Sequence, residues 1–219
     1  MAPTHVIFDL DNTLYSPATG VVARVDELIN RFVMERLALG VDDANALRAR
    51  YYADHGTTLS GLMRYHGVDP DDYLAAVHAV DIDALLEPDP ALREMLLGLD
   101  HVRMVFTNGS ALHATRVLDR LGVRDCFADV FSLERVDYVP KPEAAAFEAV
   151  LEAIGVSAAQ CVLVDDRLAN VSAAGRLGMT TVLVDHGLDF EGVGADYRVG
   201  SVLELPGVLA RLRTQATQQ

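Results

Sequence analysis

Short runs of apolar and β-branched residues alternate with longer segments of helical spacing along most of the chain. We predict strands at residues 5–8, 101–106, 130–133, 161–164 and 180–184. Amphipathic spacing predicts helices at residues 90–99, 110–121, 142–154, 169–177 and 203–212. Because parallel strands need crossover connections, this alternation predicts an α/β fold with a parallel sheet. The polar tail, residues 214–219, is expected to be frayed.

The pattern changes between the first and second predicted strands. Residues 16–87 contain no convincing strand, and their apolar spacing predicts helices at residues 21–39, 42–53, 59–65 and from Pro70 onward. Asp42 and Asp69 are predicted N-caps, and Pro70 suits a first helical position. We therefore predict a core domain of residues 1–15 and 88–219, with a helical insertion, residues 16–87, after the first strand.

Composition narrows the classes of function. The 219 residues are 51% hydrophobic, and 18 basic against 32 acidic residues give a net charge of -14. Such a protein is not expected to bind nucleic acid or an anionic membrane, and any phosphate site in it must be locally positive. No apolar run is long enough for a membrane span, and the N-terminus lacks signal-peptide features, which predicts a cytoplasmic location. The two cysteines, Cys126 and Cys161, are too few for a disulfide framework and are not spaced for zinc.

Two carboxylates follow the first predicted strand, in the stretch FDLDNTLY. Asp9 and Asp11 are two residues apart, so in an extended chain their side chains point the same way. Open α/β sheets bind ligands beyond the carboxyl ends of their strands, where such a pair suits a metal ion or a phosphoryl group. The alternative is that Asp9 and Asn12 only shape a turn.

Three later positions carry polar groups that are predicted to lie at the same edge of the sheet. Residues 107–109, Thr-Asn-Gly, place a hydroxyl and backbone N–H groups at a helix start, which suits phosphate or is an ordinary N-cap. Lys141 lies between two prolines that stiffen its loop, although a Lys-Pro pair is usually only a loop feature. Asp165 and Asp166 repel each other unless a cation lies nearby, or one of them is a helix cap. Together these groups predict a catalytic site.

The chain resembles the haloacid dehalogenase-like hydrolases, and it is similar to their pyrimidine 5′-nucleotidase-like branch. DLDNT at residues 9–13, Thr107, Lys141 and the pair Asp165-Asp166 match the four family motifs in order. The branch resemblance rests on FTNGS with HATRVLDRLGV, on KPEAAAFEAVL and on VDDRLANVSAAGRLGM. It implies a Rossmann-like three-layer core with a parallel sheet, and it implies that the insertion is a cap domain over the site.

The resemblance also implies roles for these residues. Asp9 would be the nucleophile that forms an aspartyl-phosphate, and Asp11 would act as acid and then as base. Mg²⁺ would be held by the Asp9 carboxylate, the Asp11 backbone carbonyl and Asp166, with Asp165 acting through water. Thr107 and Lys141 would complete the catalytic set, with Thr107 binding phosphoryl oxygens and Lys141 neutralising charge on the phosphoryl group and on Asp9.

Substrate contacts are implied at the phosphate loop and in the cap. The Asn108 backbone N–H, with Gly109 beside it, would bind phosphoryl oxygens. Tyr52 and His55 would contact the leaving group, with His55 at a position where the branch usually has tyrosine. Further candidate contacts are Tyr15, Arg64 and His66, although aromatic residues at helical spacing are more often core.

The implied activity is Mg²⁺-dependent hydrolysis of a small-molecule phosphomonoester, with pyrimidine nucleoside 5′-monophosphates preferred. A sugar-phosphate phosphatase, a phosphoglycolate-like phosphatase and a phosphomutase are alternatives of the same superfamily. A non-catalytic nucleotide-binding protein is the alternative of another class. The protein is expected to be a monomer or a homodimer.

Overall fold

A computed structural model describes residues 2–187 and 194–217. Its centre is a six-stranded sheet in which every neighbouring pair of strands is parallel, in the order β3-β2-β1-β4-β5-β6. The strands are β1 (His5–Phe8), β2 (Val102–Phe106), β3 (Asp129–Phe131), β4 (Cys161–Asp165), β5 (Thr180–Val184) and β6 (Tyr197–Val199). The predicted α/β class with a parallel sheet is confirmed.

Helices flank the sheet and fill the chain between β1 and β2. The helices are α1 (Val21–Leu37), α2 (Val41–His55), α3 (Thr58–His66), α4 (Pro70–Val77), α5 (Ile82–Leu85), α6 (Pro90–Leu97), α7 (Ala111–Leu121), α8 (Ala144–Ile154), α9 (Leu168–Arg176) and α10 (Leu205–Thr217). Helices α1 to α4 pack mainly on one another, through the pairs α1–α2, α1–α4, α2–α3 and α3–α4. In the part of the chain that the structure describes, no helix has the length and apolar character of a membrane span.

The central strands are buried because both faces of the sheet are covered. Val6, Ile7 and Phe8 of β1 are at most 1% exposed, and all five residues of β4 are buried. Such strands read as short apolar runs rather than as alternating patterns, which is why the sequence identifies them. Since β1 lies between β2 and β4, the residues that follow these three strands meet at one edge.

Three predicted helix starts were wrong, and the simplest case is α10, which begins at Leu205 rather than at Leu203, after a 3₁₀ turn. Helix α2 begins at Val41 with Gly40 as its N-cap, so Asp42 lies in the first turn, where a carboxylate favours the helix N-terminus. Helix α8 begins at Ala144 rather than at Pro142. The backbone N–H and C=O of Lys141 bond the Asn108 side chain at 2.8 and 2.9 Å. These bonds fix Lys141 in the loop before α8, so the helix begins after it.

Other differences concern short elements and the end of the chain. Helix α5 and strand β6 were not predicted, because one helical turn and three residues are too short to show a period. Strand β3 ends at Phe131, two residues before the predicted end. The tail predicted to be frayed is helical as far as Thr217, and its last two residues lie outside the described chain.

Gly61 of α3 is predicted to tolerate no side chain. A Cβ atom there would lie 2.2 Å from Cγ of Tyr51, whose ring is buried and whose hydroxyl is 2.7 Å from His66 Nε2. We expect Gly61→Ala to lower the free energy of unfolding by about 1–3 kcal/mol, because overpacking outweighs the gain in helix propensity. The control is Gly175→Ala in α9, where the nearest atom, Thr181 Cγ2, is 3.7 Å away and a gain of up to about 1 kcal/mol is expected. Urea denaturation measures both, and equal stability of Gly61→Ala and wild type would contradict this packing.

Candidate active site

The residues that follow three adjacent strands meet at one edge of the sheet. Asp9 follows β1, Thr107 follows β2, and Asp165 is the last residue of β4. The chain runs outward from β1 through β2 to β3 and then returns to β4 on the other side of β1. Ligands of open α/β sheets bind in the crevice at such a reversal of strand order. The predicted convergence of Asp9, Thr107 and the acidic pair is therefore present in the fold.

Lys141 is the central cation of this edge. Its Nζ donates to Asp9 Oδ1 at 2.7 Å, to Asp165 Oδ2 at 2.8 Å and to the Phe106 carbonyl at 2.7 Å. The residue is 2% exposed, so three acceptors satisfy all three protons of a buried ammonium group. It is also the only lysine of the chain, since the other 17 basic residues are arginines. Lys141 supplies positive charge at this edge, but Asp9 and Asp165 both pair with it, so a phosphate site here needs a further cation.

Asp9 is held by two donors, one on each carboxylate oxygen. Lys141 binds Oδ1, and the Thr13 hydroxyl donates to Oδ2 at 2.9 Å. Asn12, with a φ of 61°, turns the chain so that Thr13 folds back onto Asp9. Burial is the main cause that raises the pKa of Asp9 to about 7, with Lys141 acting against it and Asp165 adding to it. Asp9 thus has a fixed orientation, as a nucleophile requires.

Asp11 has partners of its own, separate from those of Asp9. Its Oδ1 lies 2.8 Å from Nε2 of His113 and also accepts a short hydrogen bond from the Tyr15 hydroxyl. Burial tends to raise the pKa of Asp11, but His113 and then Tyr15 outweigh it and lower that pKa to about 2. The two acids therefore differ in environment, which is typical of carboxylates with different roles in one site.

The sequence prediction missed His113 and Thr13, and it proposed Tyr15 only as a substrate contact. Tyr15 lies four residues after Asp11, a spacing that would bring them together in a helix. Residues 11–14 are turns, however, so the sequence did not indicate the contact between Tyr15 and Asp11. His113 is 102 residues from Asp11 in sequence and lies on the buried face of α7 among core residues. Thr13 is within the DLDNT motif and is the one residue of the three that the motif indicated.

Three carboxylates form a cluster that suits a hard cation. Ligand atoms of Asp9, Asp165 and Asp166 lie within 4.8 Å of one another. Burial, followed by repulsion from Asp9 and then Asp165, raises the pKa of Asp166 to about 8. Oxygen donors with uncompensated negative charge are the ligands that Mg²⁺ prefers. The residues present therefore fit the predicted Mg²⁺.

Asp165 differs from Asp166 in its availability. Oδ1 of Asp165 accepts from the Arg167 backbone N–H and from Asn170 Nδ2, both at 2.9 Å, and its Oδ2 accepts from Lys141 and, at 3.0 Å, from Asn170. Both oxygens are thus engaged by protein donors. This arrangement favours Asp166 as the direct ligand and Asp165 as the residue that anchors Lys141.

The loop after β2 has the form of a phosphate cradle. The Gly109 N–H donates to the Thr107 hydroxyl oxygen at 2.8 Å, which leaves the hydroxyl proton free to donate to a ligand. A Cβ atom on Gly109 would lie 3.1 Å from His113 Cδ2, 3.2 Å from Thr107 Oγ1 and 3.5 Å from Asp11 Oδ2. Only glycine leaves this approach to the acids open. The Asn108 side chain holds the Lys141 backbone, so its backbone N–H is the group of this residue that can serve as the predicted contact, whereas the Gly109 N–H is already used by Thr107.

A cavity of about 950 Å³ joins this edge to helices α1, α2 and α4. The catalytic set lines it, and helices α1, α2 and α4 contribute both apolar residues, such as Val25 and Leu74, and polar ones, such as Asp26 and Arg48. Tyr52 lines the cavity, and the Arg167 guanidinium carbon lies 4.7 Å from the centre of its ring. The predicted contact Tyr52 is therefore brought to the site.

The remaining candidate contacts are placed elsewhere. His55 lies four residues after Tyr51 on α2 and packs with it, outside the cavity that Tyr52 lines. Its ring packs 6.1 Å from the Tyr51 ring and 5.4 Å from the Tyr65 ring, and His66 bonds the Tyr51 hydroxyl. Arg64 lies over the Tyr65 ring. None of His55, Arg64 and His66 is among the described residues that line the cavity.

Residues 3–178 match the haloacid dehalogenase-like hydrolase family. The chain belongs to this family. Its fold is also similar to that of a HAD phosphatase from Thermococcus onnurineus, with a TM-score of 0.62 at 23% identity over 95% of this chain and 98% of that one. An L-2-haloacid dehalogenase from Xanthobacter autotrophicus gives a TM-score of 0.63 at 18% identity, covering 95% of this chain and 98% of that chain. At such identities these two structures support the fold alone.

Three curated relatives of similar sequence have names that refer to phosphate metabolism or to the removal of phosphate groups. Phosphate metabolism protein 8 of Saccharomyces cerevisiae is 29% identical over 80% of this chain, which spans 60% of the yeast protein. Glyceraldehyde 3-phosphate phosphatase of Methanocaldococcus jannaschii is 27% identical over 95% of this chain and 97% of its own length. A 5′-nucleotidase of Pseudomonas aeruginosa is 23% identical over 85% of each chain.

Proposed function

We propose that this hydrolase is a phosphomonoesterase that acts through an aspartyl-phosphate on Asp9. The observation that carries the proposal is the Asp9 carboxylate, which is held by Lys141 and Thr13 beside a second acid, Asp11, with a different environment. A metal-dependent phosphoryl reaction accounts for the acidic cluster, whereas dehalogenation has no use for it. The names of the relatives from yeast, M. jannaschii and P. aeruginosa add support.

Two displacements follow from this arrangement. In the first, an Asp9 oxygen forms a bond to phosphorus while the bond from phosphorus to the ester oxygen breaks, and that oxygen takes a proton from Asp11. Asp11 carries this proton once the negative charge of the bound phosphoryl group has raised its pKa above the low value of the free site. In the second, Asp11 takes a proton from water as that water attacks phosphorus, and the Asp9 carboxylate and inorganic phosphate are released. The Thr107 hydroxyl and the Lys141 ammonium group stabilise charge on the phosphoryl oxygens.

Mg²⁺ would be held by the Asp9 and Asp166 carboxylates and the Asp11 backbone carbonyl, with Asp165 behind them. When bound, the cation neutralises negative charge on the phosphoryl group and on the acidic cluster. The raised pKa values of Asp9 and Asp166 support such a role, because they reflect buried carboxylate charge that one ammonium group does not balance.

The proposed substrate is a nucleoside 5′-monophosphate with a pyrimidine base, and residues 16–87 are the proposed cap domain. The cavity beside the acids has apolar and polar lining residues, with the Tyr52 ring and Arg167 among them, which suits a planar and partly polar leaving group. A sugar-phosphate phosphatase is the second candidate, and the M. jannaschii relative favours it.

Phosphate release from a substrate panel tests the activity and its specificity. The panel contains UMP, CMP, AMP and ribose 5-phosphate, each with Mg²⁺ and with a chelator. We expect turnover of UMP and CMP to exceed that of AMP and ribose 5-phosphate, and chelation to abolish it until Mg²⁺ is restored. Higher turnover of ribose 5-phosphate would favour the sugar-phosphate alternative. Binding of UMP in Mg²⁺ without release of phosphate would contradict the enzyme proposal.

A further inference from the structure

We infer that His113 is a positioning residue that, with Tyr15, holds Asp11 by Oδ1 and leaves Oδ2 as the oxygen that exchanges protons with the substrate. The inference rests on the proposed function, in which Asp11 protonates the leaving oxygen. It adds residues outside the four motifs to the catalytic apparatus. Three independent features of the described residues support it.

The first feature is the rigid placement of His113. The residue is 1% exposed, and its backbone N–H donates to the Ser110 hydroxyl that caps α7. Its ring stacks on the ring of His78, with centroids 4.4 Å apart and planes inclined by 21°. His78 is itself fixed, because its Nδ1 lies 3.1 Å from the Leu74 carbonyl. His113 can therefore hold Asp11 in one orientation.

The second feature is the tautomer of His113. Its Nδ1 is buried and has no hydrogen-bond partner within the described ranges, 2–187 and 194–217. An N–H at that position would be an orphaned donor, which is rarer in folded proteins than an unpaired acceptor. We therefore assign the ring proton to Nε2, which lies 2.8 Å from Asp11 Oδ1. His113 is then a donor to Asp11 and not its proton acceptor.

The third feature is the unequal environment of the two Asp11 oxygens. Oδ1 accepts hydrogen bonds from both Tyr15 and His113. A proton on Oδ1 would point at one of these two donor hydrogens, which disfavours protonation of that oxygen. Oδ2 points toward the phosphate cradle, since it lies 3.5 Å from the position of a Cβ atom on Gly109. The proton that moves to and from the substrate is therefore carried on Oδ2.

The test compares two esters that differ in their need for an acid. The leaving group of UMP is the strongly basic 5′-alkoxide of uridine, whereas the leaving group of 4-nitrophenyl phosphate is the weakly basic 4-nitrophenolate. The value of kcat/KM reports the first displacement for both esters. We expect His113→Leu to lower kcat/KM about 100-fold for UMP, the scale of a misplaced catalytic group, and less than about tenfold for 4-nitrophenyl phosphate.

Two variants separate positioning from folding. His113→Gln keeps an N–H donor at a similar reach, and we expect it to recover most of the UMP activity. His101→Leu is the matched control, because His101 is another buried histidine with an unpartnered Nδ1, at the opposite end of β2. It is expected to retain both activities. If His113→Leu does not fold, Tyr15→Phe, which removes the other donor to Oδ1, gives the same comparison.

Each outcome bears on a different claim. A larger loss for UMP than for 4-nitrophenyl phosphate, with recovery in His113→Gln, supports the positioning role. Equal losses for the two esters, or full activity of His113→Leu on UMP, would overturn it while the proposed function stands. If the wild-type enzyme hydrolyses neither UMP nor 4-nitrophenyl phosphate, the proposed function is overturned and this inference with it.

Discussion

Asp9→Asn is expected to lower phosphate release by at least about 10⁴-fold, the scale on which enzymes lose activity when their nucleophile is removed. The amide cannot form the acyl phosphate, yet it preserves the size of the side chain. Its oxygen can still accept from Lys141 Nζ, and its NH₂ group can donate to Thr13 Oγ1, so the fold is expected to be retained. Steady-state phosphate release and circular dichroism of the same preparation measure the two effects.

The control for this variant is Asp125→Asn. Asp125 is an exposed aspartate that forms an ion pair with Arg93 at 2.5 Å, away from the cavity-lining residues. This change also neutralises a paired carboxylate, and it is expected to leave phosphate release within about twofold of wild type, since exposed pairs contribute little. Activity of Asp9→Asn comparable with that of Asp125→Asn would exclude Asp9 as the nucleophile.

Lys141→Met is expected to lower the free energy of unfolding by about 3–5 kcal/mol and to abolish activity. The substitution leaves the buried carboxylates of Asp9 and Asp165 without their shared cation, 2.7 and 2.8 Å from where Nζ was. Burial tends to lower the pKa of Lys141, but Asp165 and Asp9 outweigh it and raise that pKa above its ordinary value, so the ammonium group is charged at neutral pH. Urea denaturation measures the loss.

A double variant separates the loss of charge balance from the loss of packing. Lys141→Met with Asp165→Asn removes one of the two uncompensated carboxylates, so it is expected to be more stable than Lys141→Met alone. Because Lys141 is the only lysine, selective lysine labelling gives one NMR signal, which reports directly on its charge in the wild-type protein. A neutral amine at pH 7, or no change in stability for Lys141→Met, would contradict the ion-pair arrangement.

The sheet and the meeting of its acids were predictable because they depend on local patterns and one rule of topology. Apolar runs define β1, β2 and β4, and parallel strands end at the same edge, so Asp9, Thr107 and Asp165 had to lie together. The family resemblance implied that Lys141 acts on Asp9, but its contacts with Asp165 and the Phe106 carbonyl were not predictable in this way. Its three acceptors come from three different strand ends, and its loop is held by the side chain of Asn108.

The partners of Asp11 show where sequence reasoning ends. His113 has the spacing of a core residue on α7, and nothing local distinguishes a buried histidine that bonds an acid from one that packs. His55 is the opposite case, since the branch resemblance suggested a substrate contact there, yet its ring packs against Tyr51 and Tyr65 and does not line the cavity. Both outcomes depend on tertiary packing, which one sequence does not encode as a periodic pattern.

Direct detection of phosphorylated Asp9 tests the central claim. Asp11→Asn should form the intermediate from 4-nitrophenyl phosphate, whose leaving group needs no acid, and should hydrolyse it slowly because the base is absent. After an acid quench, mass spectrometry of the peptide that contains Asp9 is expected to show one added phosphoryl group on that residue. The same quench of Asp9→Asn is the control and is expected to show none. An unmodified Asp9 in Asp11→Asn, under conditions in which the variant releases 4-nitrophenolate, would contradict the account.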